Sequence, residues 1–211
     1  MSDYLLRPFT GTGAIFFPIG LPPNGTCEFS TKECRKYCYA YNDSLFDFES
    51  HIPKKEAKDI YDYIMKEPSI DKLCQKMELE LMGLHTSILH WFGTGDCPTK
   101  DTDKISAIID AMPKSIVQMG FTRNVELWER YKDIFALTVE KREDMGNRKG
   151  MFSIPNYVEG TSVMSASNYN VKGGYCGPIT CRDIVESKLE HQINCQVCHK
   201  LLIGCFDRRE K

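Results

Sequence analysis

Cys27, Cys34 and Cys38 follow one another at C-x6-C-x3-C spacing and run straight into Tyr39-Ala40, so any fold of this chain has to gather three thiols into one short stretch. Ten cysteines occur in 211 residues, and the N-terminal Met1-Ser2-Asp3-Tyr4 shows neither the basic segment nor the apolar run of a signal peptide. In a reducing compartment such a set holds a metal centre more readily than a disulfide framework. A cytoplasmic protein is expected. No stretch approaches the ~18 consecutive apolar residues of a membrane span, so no membrane segment is expected either. Asn24-Gly25-Thr26 matches a glycosylation sequon but reads, in that compartment, as a turn leading into Cys27.

The length suits a single domain over residues 1–211, since two domains need roughly 100 residues or more each. With 27 basic and 29 acidic residues the formal net charge is -2, which argues against a dominant electrostatic grip on nucleic acid. Lys141-Arg142 and Arg148-Lys149 are interrupted by Glu143 and Asp144, and Arg208-Arg209-Glu210-Lys211 reads as a solvated tail.

Periodicity sets the fold class. Gly13 to Ile19 reads as a first strand, and Lys54 to Leu84 as two helices separated at Pro68-Ser69. Ser87 to Phe92 predicts a buried strand that breaks at Gly93-Thr94-Gly95-Asp96. Thr102 is the expected cap of a helix through Ile105, Ile108, Ile109 and Met112, which Pro113 ends. Ser115 to Phe121 predicts a strand, Val125 to Tyr131 a short helix, and Asp133 to Val139 another strand. Gly150 to Ile154 and Ser162 to Ser165 predict two late strands, and Arg182 to His191 a short helix. Strands alternating with helices imply right-handed parallel crossovers and an α/β domain with a mainly parallel sheet.

Thiolates are soft ligands for zinc or an iron–sulfur cluster, and a cluster normally takes four. Cys27, Cys34 and Cys38 supply three, leaving Cys195-Gln196-Val197-Cys198, a C-x2-C pair, as the source of the rest. One such pair beside a widely spaced trio favours iron–sulfur over zinc, whose ribbons use two tight knuckles. Cys176, Cys181 and Cys205 are secondary candidates and leave a second metal site open. Cys74 and Cys97 read as buried structural thiols, and His90 as a core histidine. His191 and His199 are either zinc ligands or exposed histidines.

Gly93, Gly95 and Asp96, at the end of a parallel strand, mark a position where cofactors bind in α/β proteins, although glycines there also serve simply to turn the chain. Asp96 is read as a ligand for an amine or a ribose hydroxyl, or as a helix cap. Arg123 is read as an anion contact or an ion-pair partner of Glu126. Tyr37, Tyr39 and Tyr41 flank Cys38 and either shield a metal centre or line a core.

Gly11-Thr12-Gly13 entering an apolar strand, Leu21-Pro22, and C-x6-C-x3-C-Tyr-Ala come first in chain order. His90-Trp91-Phe92-Gly93-Thr94-Gly95-Asp96, Phe121-Thr122-Arg123-Asn124 with Glu126-Leu127-Trp128, and a terminal Cys195-x2-Cys198 follow. This succession resembles the phage and prophage family named after mycobacteriophage gene product 88. The resemblance implies an iron–sulfur protein of a bacterial host's cytoplasm, distantly similar to radical S-adenosylmethionine enzymes. It further implies a partial (β/α) barrel like the radical S-adenosylmethionine core, with a [4Fe-4S] cluster on Cys27, Cys34 and Cys38. The fourth ligand is then Cys195 or Cys198, and Gly93, Gly95 and Asp96 are the segment that meets S-adenosylmethionine in those enzymes. The spacing departs from that superfamily's C-x3-C-x2-C, and a fourth thiolate leaves no iron open to chelate the cofactor. A structural, redox or sensing role in infection or lysis, with a phage or host protein partner, is the leading expectation. The alternatives are a three-cysteine radical enzyme and a structural zinc adaptor.

Overall fold

The computed structural model describes residues 4–9, 12–36, 54–138 and 152–153. A six-stranded sheet runs in chain order through β1 (Leu6–Phe9), β2 (Thr12–Phe16), β3 (Ile88–Thr94), β4 (Val117–Thr122), β5 (Phe135–Thr138) and β6 (Phe152–Ser153). β1 lies antiparallel to β2, and every later pair is parallel. Between the strands lie α1 (Lys32–Lys36), α2 (Lys54–Lys66), α3 (Ile70–Gly83), a 3-10 turn (Thr99–Asp101), α4 (Thr102–Ala111) and α5 (Val125–Arg130). The α/β class expected from the alternation of strands and helices is the class found.

Local chemistry sets most element bounds. Ser69 caps α3, its hydroxyl accepting from the Lys72 amide at 3.2 Å, and Leu73, Cys74, Met77 and Leu81 form the buried stripe of that helix. Asn124 caps α5 in the same way, accepting from the Leu127 amide at 3.0 Å. Met112 leaves α4 in an extended conformation, as a residue before proline must. Thr102 is not the cap of α4: the 3-10 turn moves the start so that Asp101 takes that position, and the Thr102 hydroxyl accepts instead from Asn124 Nδ2 at 3.0 Å. The strand at 162–165 and the helix at 182–191 lie outside the described residues.

Two elements had no sequence signal. β1 contains Pro8, which weakens a strand reading and suits only an edge. Tertiary contacts hold it: Glu80 Oε2 on α3 accepts from the Leu5 and Leu6 amides at 2.8 and 2.7 Å, while Lys76 pairs with Glu80 Oε1 at 3.0 Å. Arg7 is paired with Glu56 on α2. The five-residue α1 starts from a Thr31 cap that accepts from the Cys34 amide at 3.1 Å.

Because each parallel strand neighbours the previous one, right-handed crossovers all step the same way and put their helices on one face. Contacts agree with this. A Cβ on Gly13 would lie 2.6 Å from Leu81 Cδ2 of α3. The Gln118 side chain bridges the sheet to α4, accepting from Trp91 Nε1 and donating to the Ile109 carbonyl, both at 3.0 Å. Cys74 donates to the Ile108 carbonyl at 3.7 Å, and Tyr131 to the Ser106 carbonyl at 3.2 Å, joining α3 and the end of α5 to α4. The opposite face carries Thr12, Ala14, Phe16, His90 and Met119, and it too is buried. His90 packs there between the rings of Phe9 and Phe121, at centroid distances of 5.1 and 5.9 Å.

Candidate functional site

The C-terminal ends of parallel strands share one edge of the sheet, where ligands of α/β proteins gather. In this chain that edge carries the Cys27 loop after β2, the Gly95–Asp96–Cys97 loop after β3, and Thr122–Arg123–Asn124 at the end of β4. The end of β3 is irregular. Ala14 pairs with His90 and Phe16 with Thr94, so two steps of β2 face four of β3. Phe92 takes up the extra length at φ 56, a conformation costly for an aromatic residue. Its ring is held by Phe17 at 5.5 Å and by Phe135, stacked at 5.7 Å. Pairing resumes past the bulge, where the Phe17 amide donates to the Thr94 carbonyl and the Thr94 hydroxyl to the Phe17 carbonyl, both at 2.9 Å.

Asp96 joins the three loops. Its Oδ1 accepts from the Cys97 amide at 2.8 Å and from the Thr122 hydroxyl at 2.6 Å, while Oδ2 accepts from the Arg123 amide at 2.8 Å. Its own amide donates to Thr26 Oγ1 at 3.1 Å, and Thr26 donates in turn to the Pro18 carbonyl at 3.0 Å. A second tie comes from Glu28, whose carboxylate accepts from the Thr99 amide at 2.7 Å. Asn124 adds a third by donating to the Cys97 carbonyl at 3.0 Å. The 3-10 turn is anchored to α2 as well, because Tyr61 donates to Asp101 Oδ2 at 2.6 Å; burial and that carboxylate push the Tyr61 hydroxyl pKa up.

Burial drives the Asp96 carboxyl from its ordinary 3.8 up to about 6, against the opposing pull of the bonds from Thr122, Arg123 and Cys97 and of the Arg123 charge. A carboxyl raised in the folded state stabilises the fold below its unfolded value, and that contribution is lost as pH rises through about 6. Relative to Asp96→Asn, which does not titrate there, the wild-type protein is expected to lose on the order of 2 kcal/mol between pH 4.5 and 7.5. Urea midpoints of both proteins at the two pH values measure it. A constant difference between them would mean that Asp96 ionises near its ordinary value.

The glycines have packing roles. A Cβ on Gly93 would meet the Phe16 ring at 2.9 Å. Gly95, at φ +77, would meet Phe17 Cβ and Thr26 Oγ1, both at 2.6 Å. Gly93, Gly95 and Asp96 are thus packed against Phe16, Phe17 and Thr26 and bonded to Cys97, Thr122 and Arg123. Asp96 is not the cap of α4, which starts six residues later at Thr102.

No family model, curated protein or solved structure matches the chain. The site rests on its own residues. Cys27, in the loop after β2, and Cys34, on α1, are half-buried, with the Cys27 amide donating to the Gly20 carbonyl at 2.8 Å and the Cys27 carbonyl accepting from the Ser30 amide at 3.1 Å. Cys38, Cys195 and Cys198 lie outside the described residues, as do Cys176, Cys181, Cys205, His191, His199, Tyr37, Tyr39 and Tyr41. Among the described residues no group of three or more His, Cys, Asp or Glu is placed to hold a metal, and no helix is long and apolar enough to cross a membrane. Cys97 is fully buried, its thiol directed to the Pro98 carbonyl at 3.6 Å; burial and Asp96 push its pKa up, which suits a structural thiol. Glu126 pairs with Arg130 at 2.5 Å, and the Arg123 amide joins the Asp96 clasp.

Thr26, Thr122 and Asn124 stand in segments singled out in the sequence, but no role at the site was read for any of them. Asn124 had a usable signal, a capping residue immediately before an apolar helical pattern. The two threonines had none, because their partners lie 70 and 26 residues away.

Proposed function

We propose that the chain is an iron–sulfur protein of the gene product 88 type, holding a [4Fe-4S] cluster on Cys27, Cys34 and Cys38, with Cys195 or Cys198 as the fourth ligand. The observation that carries this reading is the fastening of the Cys27 loop, through Thr26 and Glu28, to the loop after β3 at the C-terminal edge of a parallel sheet. Two thiols seven residues apart, half-buried at that edge, suit a soft metal centre. β6 is parallel to β5, so its last residue, Ser153, lies toward the same edge. Five strand positions span about 20 Å, a distance that the residues between 153 and 195 cover several times over.

The uninterrupted strand order and the burial of the sheet face that no helix covers among the described residues support a partial (β/α) barrel, with Ala14, Phe16, His90 and Met119 directed to its interior. When bound, the cluster supplies one-electron chemistry and a cross-link between parts of the chain roughly 160 residues apart, so its loss destabilises the fold. The residues of this chain hold it by thiolate ligation and exclude water with the buried clasp beneath Cys27. A structural, redox or sensing role in phage infection, with a phage or host protein partner, follows from the same reading.

Anaerobic purification, iron and acid-labile sulfide analysis, and electron paramagnetic resonance of the reduced protein test it. The expected result is a reduced [4Fe-4S] signal, unchanged by S-adenosylmethionine and lost in Cys27→Ser. A signal shifted by the cofactor would replace the closed site with a three-cysteine radical enzyme. Stoichiometric zinc without sulfide would make the protein a zinc adaptor.

A further inference from the structure

We propose that Thr26 is the positioning residue for the Cys27 sulfur, acting through the clasp that Asp96 makes with the loops after β3 and β4. The importance of that sulfur rests on the metal-centre reading; its placement by Thr26 does not. Thr26 immediately precedes Cys27 and is buried at 1% exposure, although Cys27 itself is half-buried and Glu28 exposed. The Thr26 hydroxyl is used in both directions. It donates to the Pro18 carbonyl at 3.0 Å and accepts from the Asp96 amide at 3.1 Å, while the Thr26 amide donates to the same Pro18 carbonyl at 2.8 Å. One side chain thus bonds the Cys27 loop to the end of its own strand and to the neighbouring loop.

The far side of this connection is fixed as well. The Asp96 carboxylate is occupied by Cys97, Thr122 and Arg123, so the amide that Thr26 receives belongs to a residue that cannot shift alone. Gly95 leaves no gap through which Thr26 might retreat, since even a Cβ there would lie 2.6 Å from its hydroxyl. On the Cys27 side only Cys27 itself separates the clasp from the sulfur, and its own amide and carbonyl are bound to Gly20 and Ser30. A buried threonine could instead be mere filling, and then valine, which matches its shape, would replace it without consequence for Cys27.

The test is timed alkylation of the metal-free full-length protein with iodoacetamide, mapped by mass spectrometry, in wild type, Thr26→Val and Thr26→Ser. Cys74 and Cys97, both buried, report global opening in the same sample. The expected result is about a tenfold change in the Cys27 rate in Thr26→Val, the factor that a lost net hydrogen bond carries, with Cys74 and Cys97 unchanged and Thr26→Ser within about twofold of wild type. An unchanged Cys27 rate in Thr26→Val, or a rise shared equally by Cys74 and Cys97, overturns the proposal. In the iron-loaded protein the reduced-cluster resonance is expected to change in Thr26→Val and to return in Thr26→Ser. A wild-type protein without iron refutes the metal-centre reading and leaves the alkylation result to decide the role of Thr26.

Discussion

Gly95→Ala is expected to cost about 4 kcal/mol, because backbone strain and a backbone clash fall on the same residue. The φ of +77 at this position is one that only glycine adopts without penalty, and a left-handed alanine costs about 1–2 kcal/mol. The methyl would also lie 2.6 Å from Phe17 Cβ and 2.8 Å from the Phe17 carbonyl oxygen. That carbonyl is engaged by the Thr94 hydroxyl, and the Phe17 amide by the Thr94 carbonyl, so the obstruction is backbone held on both sides. Overpacking of this kind adds about 1–3 kcal/mol, a large share of the roughly 5–15 kcal/mol that holds a domain. Gly13→Ala is the control, because its nearest neighbour, Leu81 Cδ2, is the end of a flexible side chain. Urea unfolding followed by circular dichroism is expected to show at least a twofold larger loss for Gly95→Ala. Equal losses would mean that the loop after β3 gives way as easily as a leucine methyl.

Asp96→Ala is expected to cost about 3 kcal/mol at pH 5 and less at pH 7.5. Removing the carboxylate leaves the amides of Cys97 and Arg123 and the Thr122 hydroxyl without their acceptor, and each buried orphan costs about 1–3 kcal/mol. An opposing gain comes from deleting a carboxylate that burial disfavours, and it grows as Asp96 ionises through about pH 6. The orphaned donors outweigh it because three of them share one acceptor group. Chemical denaturation at the two pH values measures both terms. A variant more stable than wild type at pH 5 would show that water replaces the carboxylate without loss.

The strands and helices of the parallel layers were legible because their signals are local. α3 shows a serine cap and a stripe of Leu73, Met77 and Leu81, and α5 shows an asparagine cap; these patterns depend on neighbours within a turn or two. β3 was legible as an apolar run, but the bulge at Phe92 was not, since it depends on Phe17 and Phe135, which come from other strands. β1 was missed because Pro8 argues against a strand, while the carboxylate of Glu80 that holds its start is more than 70 residues away.

The sequence by itself determined the α/β class, the positions of the loops, and the presence of two thiols, Cys27 and Cys34, in the connection after β2. Residue type and short-range spacing decide all three. Only the tertiary structure decided how the loops are used. The strand order, the burial of the second face of the sheet, and the meeting of Thr26, Asp96 and Thr122 depend on contacts between distant residues, and hydrogen-bond geometry at such contacts leaves no periodic trace in a sequence. The same physics engaged the Asp96 carboxylate with the loops after β3 and β4 and left its amide to bind the Cys27 loop.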